Sequence, residues 1–121
     1  MMKKEVSINE HIQKFIELSE LHGKYLLSGE FRKNNVVAKK LAKVAAAISD
    51  NKEDAEYAFP IIMKSDSYMA KTVGAVYALR TKLPSLEAEA VQVLEAEKDR
   101  HDILGFGTRM ALENYKEGRL M

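Results

Sequence analysis

The sequence predicts an all-α protein, a short right-handed solenoid of three helical hairpins in one domain covering residues 1–121. Three observations predict it. Apolar residues recur at spacings of three and four along most of the chain, the period of a helix buried on one face. No stretch alternates apolar and polar residues as a half-buried strand does. The expected third and fifth helices begin at Glu53 and Ser85, 32 positions apart, a spacing that suits a stacked helix-pair repeat.

The first helix opens at Ser7. Ser7 and Glu10 have capping-box spacing, in which each side chain satisfies the other's backbone amide. Ile8, Ile12, Phe15, Ser19, His22 and Leu26 form its apolar stripe, widened by Leu18, Leu21 and Tyr25, and Ser28-Gly29 breaks it after Leu27. The second helix runs from about Glu30 to Ile48, with Phe31, Ala38, Leu41, Ala42, Ala45 and Ile48 expected inside. A short break joins antiparallel neighbours, so these two form a hairpin. The third helix, Glu53 to Met63, points Ala55, Ala58, Phe59 and Ile62 inward. Pro60 lacks an amide hydrogen and its ring crowds the preceding turn, so it is expected to kink or divide that helix.

The stretch from Ser65 to Lys82 reads as the central helix, capped by Asp66 or Ser67. Met69, Val73, Val76, Tyr77 and Arg80 share one face, and Ala70, Gly74 and Ala78 form a second stripe of small residues. A helix with two apolar faces is sandwiched between neighbours. Gly74 costs about 1 kcal/mol against alanine inside a helix, which predicts a packing reason for it. Leu83-Pro84-Ser85 restarts the chain, with proline suited to a helix start. The fifth helix, Ser85 to Ala96, turns Leu86, Ala90, Val93 and Leu94 inward. The sixth, Ile103 to Glu117, does the same with Leu104, Thr108, Ala111, Leu112 and Tyr115, and Gly118 is placed as its C-cap.

Composition narrows the function classes. Net charge is +1, with eight basic and five acidic residues in 1–40 but three and five in 41–70. Neither part has the dense positive field of a nucleic-acid binder. No stretch reaches the roughly 20 apolar residues of a membrane span, and the amino-terminal lysines are not followed by the apolar run of a signal peptide. With no cysteine, a cytoplasmic location is expected.

Catalytic constellations are missing from the pattern. There is no thiol, no Gly-x-Ser-x-Gly and no phosphate-cradling glycine loop. His11, His22 and His101 share no ligand spacing, and His22 reads as a satisfied buried histidine. Glu97 and His101 are four apart, but two ligands do not close a metal site. The reading is therefore no enzyme, no cofactor, no metal and no small-molecule substrate. The basic run Arg32, Lys33, Lys39, Lys40 and Lys43 reads as a solvated face. The acidic run Asp50, Glu53, Asp54 and Glu56 either complements a helix dipole or docks a basic partner. Tyr57, Tyr68 and Tyr77 suit both a core with a polar edge and an interface hot spot.

Two stretches carry a family resemblance. One is Gly29-Glu30-Phe31-Arg32-Lys33-Asn34-Asn35. The other joins Ile103-Leu104-Gly105-Phe106 to Ala111-Leu112, Tyr115-Lys116 and Gly118. Together they resemble a small bacterial family of unknown function with HEAT- or armadillo-like hairpins. Some of its members look like immunity proteins encoded beside polymorphic toxins, including those of contact-dependent growth inhibition. The chain departs from that pattern at Gly107-Thr108 and at Tyr115, where the family usually has tryptophan. The resemblance implies an immunity protein that neutralises a cognate toxin domain such as a nuclease. The alternative is a small adaptor or scaffold for a housekeeping protein. Nucleic acid and membrane are not expected partners. The expected docking edge is Asp50, Glu53, Asp54, Glu56, Tyr57, Asp66 and Tyr68, with Lys71 and Arg80 tuning specificity, on a concave surface lined by the second helix of each pair.

Overall fold

The computed structural model describes residues 7–120. They form α1 (Ile8–Ser28), α2 (Phe31–Ser49), α3 (Lys52–Met63), α4 (Tyr68–Arg80), α5 (Pro84–Glu97) and α6 (Ile103–Lys116). No strand occurs among the described residues.

The caps explain the boundaries. Ser7 and Glu10 make the reciprocal capping box. Gly29 adopts φ 77° and ends α1, its amide donating to the Tyr25 carbonyl. Asn51 caps α3 and Ser67, rather than Asp66, caps α4. Pro84 sits in the first turn of α5, where its missing amide has no partner to lose. At the end of α6, Gly118 (φ 74°) is left-handed, and the Arg119 amide reaches back to the Asn114 carbonyl at 2.7 Å.

Four details differ from expectation, two of them at Leu21 and Ala42, which are exposed rather than inward. Pro60 does not divide α3, which continues as one helix from Lys52 to Met63. Proline removes one helical hydrogen bond, while Phe59, Ile62 and Met63 around it are buried and hold the last turn in place. Phe31 is 61% exposed instead of inward. The inward row of α2 is Asn34, Val37, Leu41, Ala45 and Ile48, so a polar residue takes the place expected for an aromatic one.

The core lies where α1, α3 and α4 meet. Phe15 packs edge-on against Phe59 and Tyr77, with ring centroids 6.1 and 5.9 Å apart. Ile48, Ala55, Ala58, Phe59, Ile62 and Ala75 are completely buried around it. α4 packs against α1, α3, α5 and α6, and α1 and α3 each pack against four helices too, so the three share the centre of the fold. The small stripe of α4 admits the close neighbour: a Cβ on Gly74 would lie 2.5 Å from Ile62 Cγ2.

Cross-helix pairs fix the helix directions. Tyr57 of α3 reaches Asn9 at the start of α1, and Phe15 follows onto Phe59. Ser85 at the start of α5 reaches Glu56, and Glu89, one turn on, takes Lys64 at 3.1 Å. α1, α3 and α5 therefore run in the same sense. α2 is not packed along α4; a groove separates them.

Ser19 is fully buried on α1, and its hydroxyl has no hydrogen-bond partner. An unsatisfied buried polar group costs about 1–3 kcal/mol, and alanine is the better helix former. Ser19→Ala should therefore stabilise the protein by about 1 kcal/mol. The check is a higher urea midpoint at unchanged slope.

Candidate binding groove

The face of α4 opposite the small stripe is only partly covered. Met69, Val73, Val76 and Tyr77 line it half-buried, and Arg80 is exposed at its end. α2 walls one side with Ala38, Leu41, Ala42 and Ala45. α6 walls the other with Ile103, Leu104, Gly107 and Thr108, while His22 and Leu26 of α1 close the near end. The groove is a chain of three shallow hollows of about 170, 210 and 200 Å³. The first two share His22, Val73 and Val76; the last two share Tyr77 and Arg80. From Met69 to Arg80 the floor is about 16 Å long at the helical rise of about 1.5 Å per residue.

Three of the polar side chains at the groove, His22, Thr72 and Arg80, have contacts inside the fold. His22 Nδ1 and Asn34 Oδ1 lie 2.6 Å apart, so with Nδ1 protonated the ring donates to the amide oxygen. This is the satisfied histidine the sequence suggests, with Asn34 as the partner that the apolar pattern did not point to. Thr72 donates to the Tyr68 carbonyl at 2.9 Å. The Arg80 guanidinium lies over the Tyr77 ring, 5.2 Å from its centroid. No aspartate or glutamate lines any of the three hollows. The result is an apolar trough with a cation at one end, shaped to accept apolar side chains.

The expected docking residues fall at opposite ends of the α3–α4 hairpin. Glu53 and Asp54 sit in the first turn of α3, where acidic groups face the positive end of the helix dipole, Glu56 follows in the next turn, and Asp50 is the C-cap of α2. The Asp54 amide donates to the Asn51 cap, and Glu56 accepts from Ser85. Asp66 lies in the turn beyond the other end of α3, a helix of 12 residues and thus about 18 Å long. Tyr57 is half exposed and donates to Asn9 Oδ1 at 3.2 Å. Arg80 lies across the groove from Ala42 and Ala46, at the end of α4 nearer the acidic run.

Tyr68 and Lys71 brace the fold. The Tyr68 hydroxyl donates to the Glu97 carbonyl at 3.1 Å and receives the Thr108 hydroxyl at 2.7 Å. Lys71 pairs with Glu97 at 3.3 Å, with both side chains about three-quarters buried. Arg100 stacks over the Tyr68 ring at 4.6 Å. These contacts tie the start of α4 to the α5–α6 turn. Glu97 is thereby committed to Lys71, while His101 is exposed. Among the described residues, no three His, Cys, Asp or Glu side chains come together as a metal site would need.

Sequence reasoning missed the brace formed by Arg109. Its guanidinium donates to the carbonyls of Lys98 and Arg100, each at 2.8 Å, and so holds the turn leading into α6. A lone arginine on a helix carries no signal for such a contact. No family model, curated protein or solved structure matches the chain.

Proposed function

We propose that the chain is a three-hairpin, right-handed solenoid that works by holding another protein in the groove along α4, with no chemistry of its own. The observation that carries this reading is the trough itself. Apolar side chains of α1, α2, α4 and α6 line it, it stays open to solvent, and His22 and Thr72 are spent on internal bonds. The common sense of α1, α3 and α5 supports the repeat architecture. Resemblance to immunity proteins makes a bacterial toxin domain the partner to test first. Such an inhibitor would cover the toxin's active site or substrate surface.

A second docking surface has its own observation in favour. Asp50 and Glu53 are exposed, and neither they nor Asp54, Glu56 and Asp66 form an ion pair among the described residues. A toxic nuclease presents cations for phosphate, and free carboxylates would speed its encounter with the inhibitor.

Co-expression with a toxin domain, where one is encoded beside this chain, separates the two. Wild type should restore growth. Ala42→Trp plugs the groove from an exposed position, so it should abolish protection while leaving the thermal unfolding midpoint unchanged. Loss of protection on reversing Asp50, Glu53, Asp54 and Glu56, with Ala42→Trp still protective, would move docking to the acidic end. No protection by wild type would remove the immunity reading.

A further inference from the structure

The groove has a charged border, and this says what it accepts. α2 carries Arg32, Lys33, Lys39, Lys40 and Lys43 and no acidic residue from end to end. Only Lys33 is ion-paired among the described residues, to Glu30 at 2.8 Å; all five are exposed. Arg32, Lys39 and Lys43 follow at intervals of seven and four, so they share one line of the helix. That line lies on the solvent side of Ala38, Ala42 and Ala46, the row that walls the trough. Arg80 stands across from it on α4.

We propose that the groove binds an amphipathic helix of a partner protein whose apolar face fills the trough and whose flank carries carboxylates for Lys39, Lys43, Arg32 and Arg80. This rests on the reading of the groove as a protein-binding surface. The floor of about 16 Å matches about three turns of a helix at 5.4 Å per turn, and helix-in-groove recognition uses apolar anchors at such spacing. The border then selects by charge, since like charges brought to the same place would repel. A nucleic acid would meet the cations but offer nothing to the recessed apolar floor. A membrane surface needs apolar side chains that protrude, whereas the floor residues Met69, Val73 and Val76 are recessed and half-buried.

The probe is a displayed library of helical peptides about 16 residues long, with leucines fixed at i, i+4, i+7 and i+11 and all other positions randomised. Selection on the intact protein should enrich Asp and Glu beside the leucine face. The winning peptide should bind at least about 10-fold more tightly than its Glu→Lys counterpart by fluorescence anisotropy, and less tightly as salt rises. Lys39→Glu with Lys43→Glu should invert that preference, and both variants carry exposed substitutions that leave the core untouched. Selection of peptides with no acidic bias, or no inversion in the double variant, overturns the proposal. So does saturable binding of duplex DNA or of vesicles rich in anionic lipid that outcompetes the peptide. These outcomes differ from failure of the groove itself, which would show as wild-type protection by Ala42→Trp in the co-expression assay.

Discussion

Gly105→Ala should be the most damaging single methyl added to this protein. A Cβ at Gly105 would lie 1.9 Å from the carbonyl oxygen of Arg100 and 2.5 Å from its carbonyl carbon. Both are backbone atoms, so no rotamer change relieves the collision. The turn cannot retreat cheaply either. The Arg100 carbonyl accepts from Arg109 at 2.8 Å, and Arg100 Nε pairs with Asp102 at 2.9 Å. Asp102 in turn caps α6 through the amides of Leu104 and Gly105. The Arg100 guanidinium beside it holds the Asp102 carboxyl below its usual range, helped by those amides. Shifting the turn would break this set together. Ordinary overpacking costs about 1–3 kcal/mol; a backbone collision in a braced turn should reach the top of that range or exceed it. Thermal unfolding should show a fall in midpoint on the order of 10 °C, taking about 4 °C per kcal/mol for a domain of this size. An unchanged midpoint would mean that α6 can start elsewhere.

The second large effect is expected at Gly74. Replacing it with leucine gains about 1 kcal/mol of helix propensity. Against this, the new Cβ alone would lie 2.5 Å from Ile62 Cγ2, and Ile62 is completely buried between α3 and α4. Gly74→Leu should therefore be net destabilising by about 1–3 kcal/mol. The contact can be isolated by making room for it. In an Ile62→Ala background the leucine should be neutral or stabilising, giving a coupling energy of opposite sign to the single-mutant loss. Equal effects in both backgrounds would mean that Gly74 does not bear on Ile62.

Much of this fold was legible because each cue was local. Ser7 with Glu10, Gly29, Pro84 and Gly118 set helix boundaries by caps and turn chemistry that need no tertiary knowledge. Gly74 marked a close approach because glycine is otherwise a poor choice inside a helix. The inward rows of α3 and α5 followed from period alone. The errors came where tertiary contacts outweigh local rules. Pro60 leaves α3 undivided among buried neighbours, and Phe31, the first residue of α2, is exposed while Asn34, paired with His22, is the first inward residue of that helix. The site was legible in part. Met69, Val73, Val76, Tyr77 and Arg80 were grouped correctly on one face, but a stripe of apolar residues does not reveal whether a neighbour covers it. Tyr68 and Lys71 looked like surface contacts, whereas Glu97 and Thr108 claim them from 26 and 40 residues away.

The central claim is that the open face of α4 is where a partner binds. Methyl-detected NMR titration of the protein with the selected peptide reads that face directly. Val73, Val76, Leu26, Ala38 and Ala42 methyls should shift together and saturate at one partner per chain, while Ala88 on the exposed side of α5 stays in place. Saturable shifts confined to residues around the acidic start of α3, with the Val73 and Val76 methyls unmoved, would contradict the account.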